Sequence, residues 1–290
     1  MNRFGISAAL LTPFSADGTI DLDRLEKHTK GLLNRGVSSV TLFGTTGEGA
    51  SIGFDERAEV IGAMTSSEID PGRVKICICA TSVADAAAQL EQGLSNGVFE
   101  FLLVPPFYFA DSHDDGLFEW HRDLFRHIDT RARIILYHIP QVTGVALSQG
   151  LVDRLVASHP ERVIAIKDSS GDWSYAERQL KSGRIAVLVG DERLLHRSAK
   201  LGGAGAISGI ANLYPERMLR LFESGVEDRE LSNEVNKIVS LPVIPSLKVR
   251  LGLLCGDPEW ERVRPPQVRL TLDQRSRLGD ALNKERRVSG

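Results

Sequence analysis

Eight times in succession the chain runs a short apolar, β-branched stretch into a helical pattern, and from about residue 226 it stops doing so. The predicted strands cover residues 6–12, 39–43, 74–80, 100–105, 133–139, 163–169, 185–190 and 205–208. Helical periodicity covers 22–33, 54–65, 84–93 and 115–127, and amphipathic segments follow the later strands. Units that alternate in this way build a parallel sheet covered by helices. No G-x-G-x-x-G follows the first strand, so a closed (β/α)8 barrel (TIM barrel) is expected rather than an open dinucleotide-binding sheet. Residues 1–225 form the expected barrel, and 226–290 a C-terminal helical appendage with helices over 227–240, 245–254 and 271–282.

The interior of such a barrel needs a large apolar fraction, and 42% hydrophobic with 25% charged residues is that of a soluble globular protein. A formal net charge of -3 gives no electrostatic case for nucleic acid or an anionic membrane, which leaves small molecules as partners. The three cysteines are odd in number, and Cys77 and Cys79 alternate in V-K-I-C-I-C-A as small buried hydrophobes, which fits a reducing compartment. Pro13 interrupts the only N-terminal apolar run, and no stretch of 18 apolar residues occurs; a cytoplasmic location is expected.

Active sites of these barrels are built at the carboxyl ends of the strands. The sixth strand, in R-V-I-A-I-K-D-S-S-G-D, ends on Lys167, a residue that apolar packing does not call for. Sheltering from water disfavours an ammonium and favours the free amine that attacks a ketone to form a Schiff base; the alternative is a strand-end lysine that snorkels to solvent. The second strand runs into Gly44-Thr45-Thr46-Gly47-Glu48, two hydroxyls and several backbone N–H groups in a tight turn, suited to a carboxylate or simply to joining strand and helix. Glu48 is placed to cap or brace that turn. Tyr137 ends the neighbouring fifth strand, where its phenol serves either as a proton shuttle for Schiff-base chemistry or as a half-buried core tyrosine. His113 among Asp111, Asp114 and Asp115 lacks metal-ligand spacing and reads as a loop feeding a helix cap. A Schiff base is an electron sink of its own, so neither metal nor cofactor is expected.

F-G-T-T-G-E-G followed by Glu56, then Y-H-I-P-Q-V-T-G and A-I-K-D-S, resembles the dihydrodipicolinate synthase and N-acetylneuraminate lyase family of class I pyruvate-dependent aldolases. P-P-F-Y at the fourth strand, V-G-D near residue 190, G-A-G-A-I-S-G-I-A-N at the eighth and V-R-P-P near the C-terminus extend the resemblance over nearly the whole chain. It implies that Lys167 forms the Schiff base with pyruvate and that Thr45 and Thr46 hold its carboxylate. It implies a proton relay through Tyr137, Thr45 and Tyr108, with Tyr108 entering from a neighbouring subunit of a tight dimer within a homotetramer. Gly47, Gly190 and Ile207 join the substrate contacts on the same ground.

The sequence departs from the synthases where it matters for the second substrate. Their acceptor-binding arginine, second after the proline of Tyr-x-x-Pro, is replaced here by Val142. Ser169, Asp191, Glu192 and Ser208 stand at positions similar to those with which the lyases hold polyhydroxy substrates, although plain turn polarity accounts for such residues too. Ala84, Phe54, Arg57 and Phe107 replace the polar residues of the synthases' lysine-feedback site. The expected activity is therefore reversible cleavage of a 2-keto-3-deoxy sugar acid to pyruvate and an aldehyde. The alternatives are condensation of pyruvate with aspartate semialdehyde, dehydration of a keto-deoxy sugar acid, and a non-catalytic keto-acid sensor.

Overall fold

The computed structural model describes residues 4–278. Among them eight parallel strands close into a barrel in chain order. These are β1 (Gly5–Ala9), β2 (Ser39–Leu42), β3 (Val74–Ile78), β4 (Glu100–Leu103), β5 (Arg133–His138), β6 (Val163–Asp168), β7 (Ala186–Val189) and β8 (Gly205–Ser208). The helices between them are α1 (Leu22–Asn34), α2 (Phe54–Ser66), α3 (Val83–Leu94), α4 (Asp114–Arg126), the single turn α5 (Pro140–Thr143), α6 (Gln149–Ser158), α7 (Trp173–Ser182), α8 (Leu195–Lys200) and α9 (Pro215–Ser224). Local sequence explains their limits. Asp21, Ser82, Ser148 and Asp172 accept a backbone N–H at helix starts, and Gly183 and Gly225 take left-handed backbone just past helix ends.

Closure depends on β8 reaching β1, where Gly5 pairs with Gly205 and a side chain on Gly205 would stand 1.9 Å from the Gly5 carbonyl oxygen. The buried Asn212 fastens this seam. Its amide donates to the Ala9 carbonyl at 2.7 Å and its oxygen accepts from Leu11 N at 3.1 Å. His28 adds a third contact, its Nε2 standing 3.0 Å from the same oxygen, and burial pushes this imidazole down to about 4, so it is neutral near pH 7.

Most predicted strands overran by one to three residues at their carboxyl ends. The backbone there leaves the ladder for side-chain partners: Leu11 N goes to Asn212, and Cys79 N to Gln89 Oε1 at 3.0 Å. Beyond Gly225 the chain forms α10 (Arg229–Val239) and α11 (Val243–Cys255). Residues 272–278 are also helical, and the rest of the helix expected over 271–282 lies outside the described residues. Every residue of α11 from Pro245 to Gly252 is buried, so this helix packs into the body of the molecule.

Candidate active site

Lys167 and Tyr137 are register partners on β6 and β5, so their side chains leave the sheet on the same side. Both are buried, at 5% and 2% exposure, and the Lys167 Nζ stands 4.2 Å from the Tyr137 ring centroid. The Tyr137 hydroxyl lies 3.3 Å from Thr45 Oγ1, which connects the amine through a phenol to the turn after β2. Gly190, after β7, leaves the space that Lys167 fills: a side chain there would sit 3.2 Å from Lys167 Cε and 1.9 Å from Ser169 Oγ. Buried Cys77 of β3 lies near enough for Lys167 to favour its thiolate, but desolvation dominates and pushes the thiol up to about 12. It is a neutral wall and not a second nucleophile.

The 44–47 turn is tight. Gly47 N and Gly49 N donate to the Gly44 carbonyl at 3.0 and 3.2 Å, and Glu48 N to that of Thr45 at 3.1 Å. Thr12 Oγ1 donates to the Gly47 carbonyl at 2.7 Å, while a side chain on Gly47 would meet the Leu10 carbonyl oxygen at 2.7 Å. Thr45 is exposed toward the barrel mouth; Thr46 is half-buried, and a side chain on Gly209, just past β8, would meet it at 3.2 Å. Thus β2, β5, β6, β7 and β8 all deliver groups to one end of the barrel.

The remaining predicted contacts divide. Glu192 and Ser208 are buried and hydrogen-bonded to each other, and Ser208 Oγ also accepts from Ile210 N at 3.0 Å. Burial raises the Glu192 carboxyl above the ordinary carboxylate range. Asp191 is held by Arg193, with Nε to Oδ1 at 2.9 Å and Nη2 to Oδ2 at 2.6 Å, and Arg193 continues to Asn236 of α10 at 2.8 Å. The Ser169 carbonyl accepts from Gln141 at 2.6 Å, and Ile207 is buried in β8. Tyr108 is 84% exposed, with φ 85, and packs edge-on against exposed Phe109, so it joins none of the buried groups around Lys167.

A cavity of about 400 Å³ opens beside Thr45, lined by Phe43, Val104, Phe107, Ile139 and Val142 and capped by Ile244 and Pro266 from the C-terminal region. A second hollow, of about 750 Å³, lies at the amino end of the barrel around the Lys75–Glu100 ion pair, among none of the groups just described. Asp114 and Asp115, taken with His113 as a loop cluster, are bonded to Ser148 and Arg154. Sequence reasoning passed over Lys248 and Arg264, which reach the turn through Glu48. It also passed over the left-handed backbone of Phe43 and Glu48.

A lysine, a tyrosine and a threonine-bearing turn gathered at the carboxyl ends of the strands of a closed (β/α)8 barrel have the layout of a barrel enzyme. The Dihydrodipicolinate synthetase family profile matches residues 2–285, and the chain belongs to that family of pyruvate-dependent aldolases; it is a carbon–carbon lyase. It is 33% identical over 222 residues to a DapA-like lyase of Chloroflexus aurantiacus, covering 76% of this chain and 74% of that one. The crystal structure of dihydrodipicolinate synthase from Agrobacterium tumefaciens superposes with a TM-score of 0.94 at 42% identity, covering 97% and 99% of the two chains. YagE of E. coli K12, solved in complex with pyruvate, shares the fold with a TM-score of 0.83 at 21% identity, covering 97% and 98%.

Proposed function

We propose that the enzyme is a class I aldolase that cleaves a 2-keto-3-deoxy sugar acid reversibly to pyruvate and a hydroxy aldehyde. The observation that carries this reading is the buried Lys167 amine 4.2 Å from the Tyr137 ring, with the phenol 3.3 Å from Thr45. The amine adds to the keto carbon and water leaves, giving an imine. In the cleavage direction the C4 hydroxyl loses its proton, the C3–C4 bond breaks, and its electron pair is taken up through the imine as an enamine. Reprotonation at C3 and hydrolysis then release pyruvate. Each step moves a proton, and the phenol beside the amine is placed to carry it. Thr45 and Thr46 hold the carboxylate, while Gly47, whose N–H and carbonyl are engaged by Gly44 and Thr12, shapes the turn that presents them.

Tyr108, outward-facing and held at φ 85, suits a relay group that serves a neighbouring subunit of a homotetramer built as a dimer of dimers. The three cysteines are free thiols, which accords with a reducing, cytoplasmic compartment; no helix of the described residues is long and apolar enough to cross a membrane.

The choice of aldehyde rests on charge. Val142 is 60% exposed on an apolar wall that holds no cationic side chain, and Arg193, after β7, is paired with Asp191. An acceptor carboxylate entering there sheds water without a cationic partner, which costs several kcal/mol. Ser169 and Asp191, half-buried at the same strand ends, offer hydrogen bonds to hydroxyls instead, while Glu192 and Ser208 are buried and already bonded to each other. Borohydride reduction with pyruvate tests the first half: a three-carbon adduct is expected on the Lys167 peptide, and adduct that persists in Lys167→Ala refutes it. For the second half, kcat/KM with pyruvate as donor is compared for glyceraldehyde and aspartate semialdehyde. A preference for the semialdehyde supports the synthase activity instead.

A further inference from the structure

The turn that carries Thr45 and Thr46 is held from behind by a buried set of charges that the proposed chemistry does not use. Phe43 at φ 59 and Glu48 at φ 55 place both ends of the turn in left-handed backbone without glycine. Such a conformation persists only where the surroundings enforce it. Here the enforcing contacts come from the far end of the chain. The Glu48 carboxylate is buried and ion-paired with Lys248 of α11, itself at 0% exposure, and its Oε2 accepts from Arg264 N at 2.9 Å. Lys248 Nζ also donates to the Arg262 carbonyl at 2.6 Å and stands 4.3 Å from the Phe14 ring centroid. The Arg264 guanidinium forks onto Glu56 at 2.8 Å on both oxygens, and reaches the Ser51 and Gly18 carbonyls at 3.0 and 2.6 Å.

A buried ion pair is weak evidence for stability, because apolar side chains of similar volume often serve as well. What this one does is geometric: it ties Glu48, at the end of the turn, to the buried stretch of α11 and to the segment that follows it. We propose that the Lys248–Glu48 pair, with Arg264, positions the 44–47 turn for the keto-acid carboxylate, which makes Lys248 and Glu48 positioning residues of the site. The inference rests on the reading of that turn as the carboxylate holder.

The arrangement has a pH signature. The charged groups facing Lys248 are Glu48 from the turn and Arg264 from the C-terminal segment, with Glu56 of α2 behind the latter. Burial pushes Lys248 down to about 8 against the pull of Glu48. Because its folded-state value lies below the ordinary 10.5, the unfolded chain holds this proton more tightly, and the group's contribution to stability rises with pH across that window. The ion pair to Glu48 is lost over the same window. Keto-acid binding therefore weakens where the fold does not.

The experiment measures KM for pyruvate and the borohydride trapping rate at saturating pyruvate, with thermal melting alongside, in wild type, Lys248→Met and Glu48→Gln. Wild-type KM is expected to rise several-fold between about pH 7.5 and 9 with no fall in melting temperature. Lys248→Met should show a KM raised on the order of 10²-fold, the cost of a binding group misplaced by about an ångström. That KM should be flat with pH, with the saturating trapping rate retained. A folded Lys248→Met whose KM stays within about twofold of wild type overturns the proposal. Should that variant fail to fold, the near-isosteric Glu48→Gln carries the same KM test, and a Glu48→Gln KM within about twofold of wild type overturns the proposal. Trapping of pyruvate on wild-type Lys167 reports on the site reading alone. Absence of the adduct removes that reading, whereas an adduct with an unmoved KM removes only the positioning role.

Discussion

Replacing Tyr137 by phenylalanine separates the catalytic from the structural account of this residue, because the ring and the hydroxyl do different things. The ring, 2% exposed and 4.2 Å from the Lys167 amine, is kept in Tyr137→Phe, so the walls of the lysine site stay in place. What goes is a hydroxyl whose hydrogen-bonding neighbour, Thr45 Oγ1, stands at a long 3.3 Å. Loss of so weak a hydrogen bond changes stability by about 1 kcal/mol or less. Loss of a general acid–base lowers turnover by about 10²- to 10⁴-fold, or about 2.7 to 5.4 kcal/mol in the barrier. The two accounts thus differ by more than the error of either. Turnover is read as pyruvate release from a keto-deoxy sugar acid, stability as the melting temperature, and imine formation as borohydride trapping on Lys167. Trapping should persist, slowed, while turnover collapses and melting barely moves. A variant that turns over within about threefold of wild type, or one that unfolds while its folded fraction stays fully active, refutes the proton-shuttle role.

Val142→Arg should raise kcat/KM for aspartate semialdehyde relative to hydroxy aldehydes by at least about tenfold, or ~1.4 kcal/mol, by supplying the missing cation; an unchanged ratio means that the acceptor carboxylate does not pass this wall. Gly190→Ala should slow borohydride trapping and destabilise by about 1–3 kcal/mol, the range for overpacking, since the new methyl meets Ser169 Oγ at 1.9 Å and Lys167 Cε at 3.2 Å. Wild-type trapping in that variant would show that the lysine does not need the space. Glu192→Gln tests a buried acid whose carboxyl is raised by desolvation. A raised folded-state value stabilises at pH below the ordinary 4.5 and loses that contribution as pH rises through the folded value. The melting temperature of wild type should therefore fall relative to Glu192→Gln as pH rises from about 4.5, and parallel curves would place the carboxyl in water.

The parts of this protein that could be read from the sequence are those governed by short-range periodicity. The alternation of strand and helix gave the barrel, and the ends of β5 and β6 brought Tyr137 beside Lys167 because residues at matching heights on adjacent parallel strands face the same way. The strand limits were not legible, since the Leu11 backbone N–H leaves its ladder for an asparagine 201 residues away. The turn α5 was hidden in P-Q-V-T-G, where a proline opens it and Gly144 at φ 70 closes it.

The least legible feature is α11. In V-I-P-S-L-K-V-R-L-G the charged Lys248 and Arg250, two residues apart and so on opposite sides of the helix, suggest an exposed segment, yet both are fully buried. Each is buried because a carboxylate from another element meets it: Glu48 meets Lys248, and Glu234 of α10 meets Arg250 at 2.5 Å. No local pattern announces such pairs, for the desolvation of each partner is offset only by the other, 200 and 16 residues along the chain. The chemistry of the site is thus written locally at strand ends, whereas the rigidity its turn needs is written in charges that become meaningful only once the barrel has closed. Variants at Lys248 and Glu48 should accordingly disturb keto-acid binding while leaving the Lys167–Tyr137 pair, set by strand register, where it is.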